Sequence, residues 1–208
     1  MGRTEKPVEA ADVHRMCQAI VHRGPDDEGL YVRGAVGLGM RRLSIIDIAG
    51  GQQPIHNEGS TIWAVFNGEI YNYLEIRAEL EGRGHHFYTH SDTEVIVHLY
   101  EELGPECVRK LRGMFAIALW DETKRSLLLA RDRLGKKPVH YALHKGRLLF
   151  GSEIKAILAV APELAVPNPE ALLQYFYFGS NASGFGTANS GATARIALIS
   201  EPNSNLPL

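Results

Sequence analysis

The middle of the chain runs Met114-Phe115-Ala116-Ile117-Ala118-Leu119-Trp120, and every side chain in this stretch is apolar. A short apolar run of this kind is typical of a β-strand that is covered on both faces. Ser126 to Arg131 follows after a polar turn and predicts the partner strand of an antiparallel hairpin. Val139 to Leu143 and Leu148 to Gly151 predict a second hairpin. Buried strands of this type require stacked layers, with sheets inside and helices outside.

Towards the N-terminus, the spacing of Val13, Met16, Cys17 and Ile20 predicts a helix over residues 7–22, which Gly24-Pro25 ends. Three short strands are then predicted between turn-forming residues: Leu30 to Val32, Val36 to Met40 and Ile62 to Phe66.

Four further helices are predicted. Asn72 is a candidate cap for one of them, and Ser91-Asp92-Thr93-Glu94 has the pattern of a capping box for the next, which Gly104-Pro105 ends. The last two begin near Ser152 and near Asn168-Pro169.

The composition excludes several classes of function. The 208 residues are 45% hydrophobic and 22% charged, with a net charge of −2, which argues against nucleic acid or an anionic membrane as a partner. No stretch approaches the ~20 apolar residues of a membrane span, and the polar start is not a secretory signal. With only two cysteines, a disulfide framework is not expected, and the cytoplasm is the expected location.

Residues 180–208 differ from the rest because they are rich in Ser, Asn, Gly and Ala and lack periodicity. Such a segment buries too little apolar surface to offset its ordering entropy. We therefore expect one domain over residues 1–179 and a disordered tail over 180–208.

Five groups of motifs stand in order between residues 22 and 155. They are His22-Arg23-Gly24-Pro25-Asp26; Arg42-Leu43-Ser44-Ile45-Ile46-Asp47 with Gln53-Pro54; Asn67-Gly68-Glu69-Ile70-Tyr71-Asn72; Ser91-Asp92-Thr93-Glu94; and Arg131 to Pro138 with Gly151-Ser152-Glu153-Ile154-Lys155. Together they resemble the glutamine amidotransferase domain of the asparagine synthetase family. Sister class II amidotransferases that make glucosamine phosphate or phosphoribosylamine share several of these motifs. The Arg-Leu-Ser-Ile-Ile-Asp segment and the residues 111–116 favour the asparagine synthetase branch.

The resemblance implies a fold and a reaction. The fold is α+β, the four-layer α/β/β/α sandwich of N-terminal-nucleophile hydrolases. The reaction is hydrolysis of glutamine to glutamate and ammonia, with the ammonia used for aspartate amidation in a second, synthetase domain. Expected partners are L-glutamine, such a synthetase domain and, as one option, a second copy of the chain in a homodimer. No cofactor is expected here, since ATP and Mg²⁺ belong to the synthetase domain.

The resemblance also assigns residues to the parts of glutamine. A guanidinium fork suits a carboxylate, and this role falls on Arg42 with the backbone of Leu43, Ser44, Ile45 and Ile46. An isolated arginine would otherwise be interpreted as part of a surface salt bridge.

The α-ammonium requires an anion, and the resemblance implies Asp92, assisted by Glu69 or by nearby backbone carbonyls. Asp92 also suits the first turn of a helix, where a negative charge meets the helix dipole. The oxyanion of amide hydrolysis requires fixed donors. The Asn67 side chain and the Gly68 backbone N–H have that implied role, although Asn-Gly is also a common hairpin turn.

The remaining polar candidates have structural interpretations. Cys17 and Cys107 are expected in the core. His85-His86 has no Cys or His at metal-ligand spacing, so a solvated turn and no metal site are expected. Arg131-Asp132-Arg133 is interpreted as an internal charge network.

The sequence departs from the family in two places. The family's nucleophile is an N-terminal cysteine whose own α-amine, with a pKa near ~7.7–8.0, is the base. Residues 1–7 contain no cysteine and leave no room for the strand that would carry it. No Ser-Gly-Gly-x-Asp-Ser pyrophosphate loop follows residue 178. The expectation is a chain shortened at both ends and inactive in glutamine hydrolysis. The alternatives are a non-catalytic glutamine-binding or assembly module and a gene fragment.

Overall fold

The central sheet contains the apolar stretch that the sequence singled out. The computed structural model describes residues 7–43, 50–167 and 169–178. Four antiparallel strands form this sheet in the order β3-β4-β5-β6. They are β3 (Ile55–His56), β4 (Ile62–Ile70), β5 (Gly113–Asp121) and β6 (Ser126–Arg131). Residues 115–121 of β5 are all buried, which confirms that both faces of this strand are covered.

Two antiparallel hairpins form a second layer of strands. The first pairs β1 (Asp27–Arg33) with β2 (Val36–Arg42), and the second pairs β7 (His140–His144) with β8 (Arg147–Gly151). The sequence-predicted strands and both predicted hairpins are therefore confirmed, although β4 continues four residues beyond the predicted Phe66.

All five predicted helices are present, but the first is shorter than the predicted range 7–22 and ends before Gly24-Pro25 is reached. They are α1 (Ala10–Gln18), α2 (Tyr73–Gly82), α3 (Glu94–Leu103), α4 (Ile154–Leu158) and α5 (Pro169–Phe178). Short 3₁₀ helices cover Val21–Arg23, Gly104–Arg109 and Pro162–Leu164. The end of α3 at Gly104 is as predicted, with a φ of 58° that suits glycine.

Two separate cores show that the layers are stacked. The larger core lies between the central sheet and α2 and α3, and it contains Phe66, Ile96 and Ile117. The smaller core lies between the two layers of strands, where Val65 and Trp120 meet Leu38. On the outer side, α1 packs on β2 so closely that a Cβ at Gly39 would lie 2.6 Å from Cys17 Sγ. This arrangement is the expected four-layer α/β/β/α sandwich.

The start of α3 differs from the predicted capping box. The helix begins at Glu94, so Asp92 lies in the turn before it and is not its first residue. Ser91 Oγ accepts a hydrogen bond from the Thr93 N–H at 3.1 Å. Glu94 does not bond back to Ser91, because its carboxylate accepts the N–H groups of Tyr88 and Thr89 at 2.8 and 2.7 Å. The fully buried Glu94 thus fixes the preceding loop as well as the helix.

Asn72 precedes α2 as predicted, but its side chain does not cap that helix. It donates to Lys110 O at 3.0 Å and accepts from Arg112 N at 2.9 Å. The residue therefore joins the start of α2 to the segment before β5.

Within the described ranges, no helix is long and apolar enough to cross a bilayer. The predicted disordered tail over 180–208 lies outside the described residues.

Candidate functional site

An open cavity of about 2400 Å³ lies between the two layers of strands. Residues of α1, β2, β4, β5, β6 and β8 line it. Of the nine residues assigned to glutamine, six line this cavity: Arg42, Leu43, Asn67, Gly68, Glu69 and Asp92. The other three, Ser44, Ile45 and Ile46, lie outside the described residues. The cavity extends well beyond these six residues. The contacts of each residue therefore define its position better than the fact that it lines the cavity.

Arg42 is the last residue of β2 and is held in a fixed backbone position. The residue is only 8% exposed, so an ion pair of its side chain would not be a fully solvated one. The Asp26 N–H donates to Arg42 O at 3.1 Å, and a Cβ on Gly24 would lie 2.4 Å from Arg42 N. The Gly24-Pro25-Asp26 loop therefore packs directly against the end of β2. Leu43, the next residue, is exposed.

Asn67 and Gly68 lie inside β4, opposite Ala116 and Phe115 of β5. The hairpin-turn interpretation of Asn-Gly is therefore wrong. Alternate residues of a strand point to opposite faces. Val65 belongs to the core between the strand layers, so Asn67 and Glu69 point to the same side as Val65, towards the cavity.

Glycine is required at position 68 because two strands approach closely there. Its φ is +156°, and an added Cβ would lie 2.0 Å from Met114 O. Glycine is therefore needed at position 68 because β4 and β5 pack closely there.

Asp92 reaches the same end of β4 from the turn before α3. It is 4% exposed, and its Oδ2 accepts the Ile70 N–H at 2.9 Å. Burial raises the pKa of Asp92; the Ile70 bond opposes this shift, and the charge of Glu69 adds to it. The exposed Glu69 thus places a second negative charge near the buried Asp92, and a bound cation would offset both charges.

Gln53 is a residue of the site that sequence analysis did not assign. Its Oε1 accepts the Phe66 N–H at 2.6 Å, and its Nε2 donates to Phe66 O at 3.0 Å. Both bonds hold the backbone of the residue before Asn67, so Gln53 is a positioning residue. The Gln53-Pro54 motif was the available signal, but only the fold shows what the side chain contacts.

Neither cysteine has the environment of a nucleophile. Burial raises the pKa of the Cys17 thiol to about 11 and that of Cys107 to about 12. The thiolate is the reactive form, so both remain neutral thiols near pH 7. Cys17 lines the cavity from α1, but it packs against Gly39 as predicted for a core residue.

The first and last sequence motifs meet beside α4. Glu153 Oε1 lies 3.0 Å from His22 Nε2 and 3.0 Å from Arg23 Nη1. Lys155, Arg23 and His22 together hold the pKa of Glu153 down to about 2. These residues tie the segment after α1 to the start of α4.

Asp132 corrects the interpretation of Arg131-Asp132-Arg133 as a charge network. Its carboxylate accepts four backbone N–H groups, at 2.8 to 3.2 Å. The donors are Phe115, Leu134, Lys136 and Lys137. Burial would raise the pKa of Asp132, but these four bonds outweigh it and lower the pKa. The residue fixes the loop that follows β6.

Three comparisons bear on this architecture. Residues 1–189 match a family model described as a glutamine amidotransferase domain. Asparagine synthetase [glutamine-hydrolyzing] 1 of Bacillus subtilis is 45% identical over 166 residues, which are 80% of this chain and 26% of that protein. Asparagine synthetase B [glutamine-hydrolyzing] of Escherichia coli is 45% identical over 140 residues, 67% of this chain and 25% of that protein. The chain thus spans about a quarter of these relatives.

The solved structures support the fold. The glutamine phosphoribosylpyrophosphate amidotransferase from B. subtilis superposes with a TM-score of 0.63 at 20% identity, over 75% of this chain and 42% of that one.

Proposed function

Because this chain belongs to the glutamine amidotransferase domain family, we propose that its inter-sheet cavity binds L-glutamine. The observation that carries the proposal is the arrangement of complementary groups along one cavity. The Arg42 guanidinium suits the α-carboxylate, and the Asp92 and Glu69 carboxylates suit the α-ammonium. Asn67 and the Gly68 backbone N–H are the donors for the side-chain amide. Ser44, Ile45 and Ile46, which lie outside the described residues, belong to the same proposal as neighbours of Arg42 in the sequence.

The electrostatics favour a zwitterionic ligand. Asp92 is buried and has a raised pKa, partly because of Glu69, and a bound ammonium would stabilise both charged carboxylates. Arg42 is buried at the end of β2 and would gain from a bidentate carboxylate. A free α-amino acid offers both charges on one carbon.

Calorimetric titration of the 208-residue chain with L-glutamine tests this proposal. Binding is expected at one site per chain. The Arg42→Lys variant should bind at least ~10-fold more weakly, because a hydrogen bond to a charged group contributes about 1.5–3 kcal/mol and lysine lacks the planar fork. The matched control is Arg112→Lys, since Arg112 is exposed and does not line the cavity. Absence of binding, or equal binding by Arg42→Lys, would overturn the proposal.

We further propose that this chain binds glutamine without hydrolysing it. Both of its cysteines are neutral thiols near pH 7, so neither is an activated nucleophile. An ammonia-release assay should show no turnover above buffer. Turnover that persists in the Cys17→Ala and Cys107→Ala variants would contradict this proposal and identify another nucleophile.

In a longer asparagine synthetase-like enzyme, the role of this domain would be to supply ammonia from glutamine for aspartate amidation. ATP and Mg²⁺ would then bind to the synthetase domain. We place this role in the cytoplasm and include a homodimer among the assemblies. For this chain by itself, binding without hydrolysis corresponds to the second candidate function, a non-catalytic glutamine-binding or assembly module, which the neutral cysteines favour. Glutamine binding without ammonia release supports that candidate over the ammonia-supplying role.

A further inference from the structure

Four side chains with metal-ligating atoms converge at the edge of the helical layer that covers the central sheet. Glu58 lies in the turn between β3 and β4, and His85 lies in the segment after α2. His98 and Glu101 are on α3, three residues apart, and so share one face of that helix. One ligand atom of each residue lies within 4.8 Å of the other three. None of the four lines the inter-sheet cavity.

Three of the distances between these atoms are close to those of a tetrahedral site, and the others are within 4.8 Å. His98 Nδ1 lies 3.1 Å from Glu101 Oε2 and 3.4 Å from Glu58 Oε2. His85 Nδ1 lies 3.5 Å from the same Glu101 Oε2. Four ligands bound to zinc at ~2.0–2.1 Å in a tetrahedron lie roughly 3.3–3.4 Å from one another. A central ion would therefore require only small side-chain movements.

The second ring nitrogen of each histidine faces a further carboxylate. His85 Nε2 lies 3.1 Å from Glu102 Oε1, and His98 Nε2 lies 3.5 Å from Glu94 Oε1. Metal-bound histidines usually donate their other N–H to a carboxylate or carbonyl, which fixes the tautomer and the ring orientation. Both Nδ1 atoms are thus left as the ligating atoms.

The two carboxylates are oriented in the same way. Glu58 uses Oε1 to accept the His86 backbone N–H at 2.8 Å. Glu101 uses Oε1 to accept from Asn57 Nδ2 at 2.7 Å. The Oε2 atom of each carboxylate remains directed at the histidines.

We propose that Glu58, His85, His98 and Glu101 form a structural binding site for one divalent transition-metal ion, with Zn²⁺ as the best match. Two imidazoles and two carboxylates suit zinc better than calcium or magnesium, which prefer oxygen ligands alone. Four protein ligands close the coordination sphere, which is typical of a structural zinc site. The ion would join the β3–β4 turn, the segment after α2 and helix α3.

This proposal departs from the expectation that His85-His86 forms a solvated turn with no metal. Of these two histidines, His86 is exposed. The side chain of His85 is only 14% exposed and contacts Glu101 and Glu102. That expectation was based on the absence of ligating residues near His85 in the sequence. The fold brings His98 to it, with the two rings 5.0 Å apart between centroids.

Hydrogen bonds and ion pairs between a protonated His98 and the surrounding carboxylates are the competing explanation for the same geometry. His98 is fully buried, and burial lowers the pKa of its ring, but bonds to Glu94 and Glu101 outweigh this and raise the pKa. A proton and a metal ion compete for the same Nδ1. Direct titration with metal at neutral pH distinguishes the two explanations.

The test uses the 208-residue chain after treatment with a chelator, followed by dialysis. Zn²⁺ is titrated by calorimetry, and Co²⁺ is added separately as a spectroscopic probe of tetrahedral coordination. We expect one ion per chain, visible absorption bands of tetrahedral Co²⁺ and a higher thermal midpoint with Zn²⁺. The His85→Gln and Glu58→Gln variants should bind Zn²⁺ at least ~10–100-fold more weakly, since even loss of an outer partner has that effect.

The matched control is His86→Gln, which changes the neighbouring exposed imidazole and should retain wild-type affinity. Circular dichroism of all variants confirms that the fold is unchanged. Absence of stoichiometric Zn²⁺ binding would overturn the proposal. Equal binding by wild type and His85→Gln would overturn it as well, because the metal would then bind elsewhere. Neither result affects glutamine binding, so this test and the calorimetric test of the cavity fail independently.

Discussion

Asp92 Oδ2 accepts the backbone N–H of Ile70 at 2.9 Å. This bond fixes a buried carboxylate from the turn before α3 to the end of β4, one residue beyond Glu69. The charge and the hydrogen-bonding oxygen of Asp92 can therefore be separated by substitution.

Asp92→Asn keeps an oxygen acceptor for Ile70 but removes the charge. Its free energy of unfolding should equal or exceed that of the wild type, because burial raises the pKa of Asp92 and disfavours its charged form. Its glutamine affinity should fall at least ~10-fold if the carboxylate binds the α-ammonium. Asp92→Ala should in addition lower the free energy of unfolding by about 1–3 kcal/mol, since the Ile70 N–H is left unpaired. Urea denaturation measures the free energy of unfolding, and calorimetry measures the affinity for glutamine. Wild-type affinity in Asp92→Asn would show that the Asp92 carboxylate does not bind the α-ammonium.

Gly68→Ala should destabilise the domain. The added Cβ would meet Met114 O at 2.0 Å, at a φ of +156°. We expect a decrease of at least ~1–3 kcal/mol in the free energy of unfolding, measured by urea denaturation. Gly82→Ala is the control, because a Cβ there meets no atom within 4 Å and should be neutral or stabilising by ~0.5–1 kcal/mol at a helical position. Similar stability of the two variants would contradict the close approach of β4 and β5.

Asp132→Asn should lose stability in a pH-dependent way. The amide nitrogen cannot accept the N–H groups that bond to one carboxylate oxygen, and each unpaired buried donor costs about 1–3 kcal/mol. The pKa of Asp132 is lowered in the folded state. Its contribution to the free energy of unfolding is therefore fully present above its pKa in the unfolded chain, ~3.9, and is lost as the pH falls from there through the lower pKa of the folded state. The difference in free energy of unfolding between the wild type and Asp132→Asn should therefore be largest above pH ~4 and should become smaller in more acidic solution. Urea denaturation at several pH values measures this difference. If it did not change with pH, the ionised Asp132 carboxylate would not be what stabilises the loop after β6.

The two cysteines should react slowly with thiol reagents in the folded protein. Their pKa values of about 11 and 12 leave almost no thiolate at pH 7, and both side chains are buried. Titration with a chromogenic disulfide should show two thiols that react at once in denaturant and slowly without it. A rapidly reacting thiol in the native chain would identify an activated cysteine and would reopen the question of hydrolysis.

The helices and strands follow closely from the sequence, because their signals are local. The periodicity of α1 and α3, the apolar run of β5 and the turns of both hairpins each depend on residues within one element. Side-chain partners were predicted less well. Ser91 and Glu94 have capping-box spacing, but Glu94 bonds to Tyr88 and Thr89 instead. Asp132 stands between two arginines in the chain, yet backbone N–H groups hold its carboxylate.

The sequence by itself determined the layered fold and the family, because periodicity and ordered motifs are properties of the chain. The glutamine-binding residues that it indicates remain a proposal. Only the tertiary structure placed Asn67-Gly68 inside a strand, connected Gln53 to Phe66 and brought His98 and Glu58 to His85. These contacts depend on how strands and helices pack across tens of residues. Hydrogen-bonding and ligating groups act over about 3 Å in space, whatever their separation along the chain.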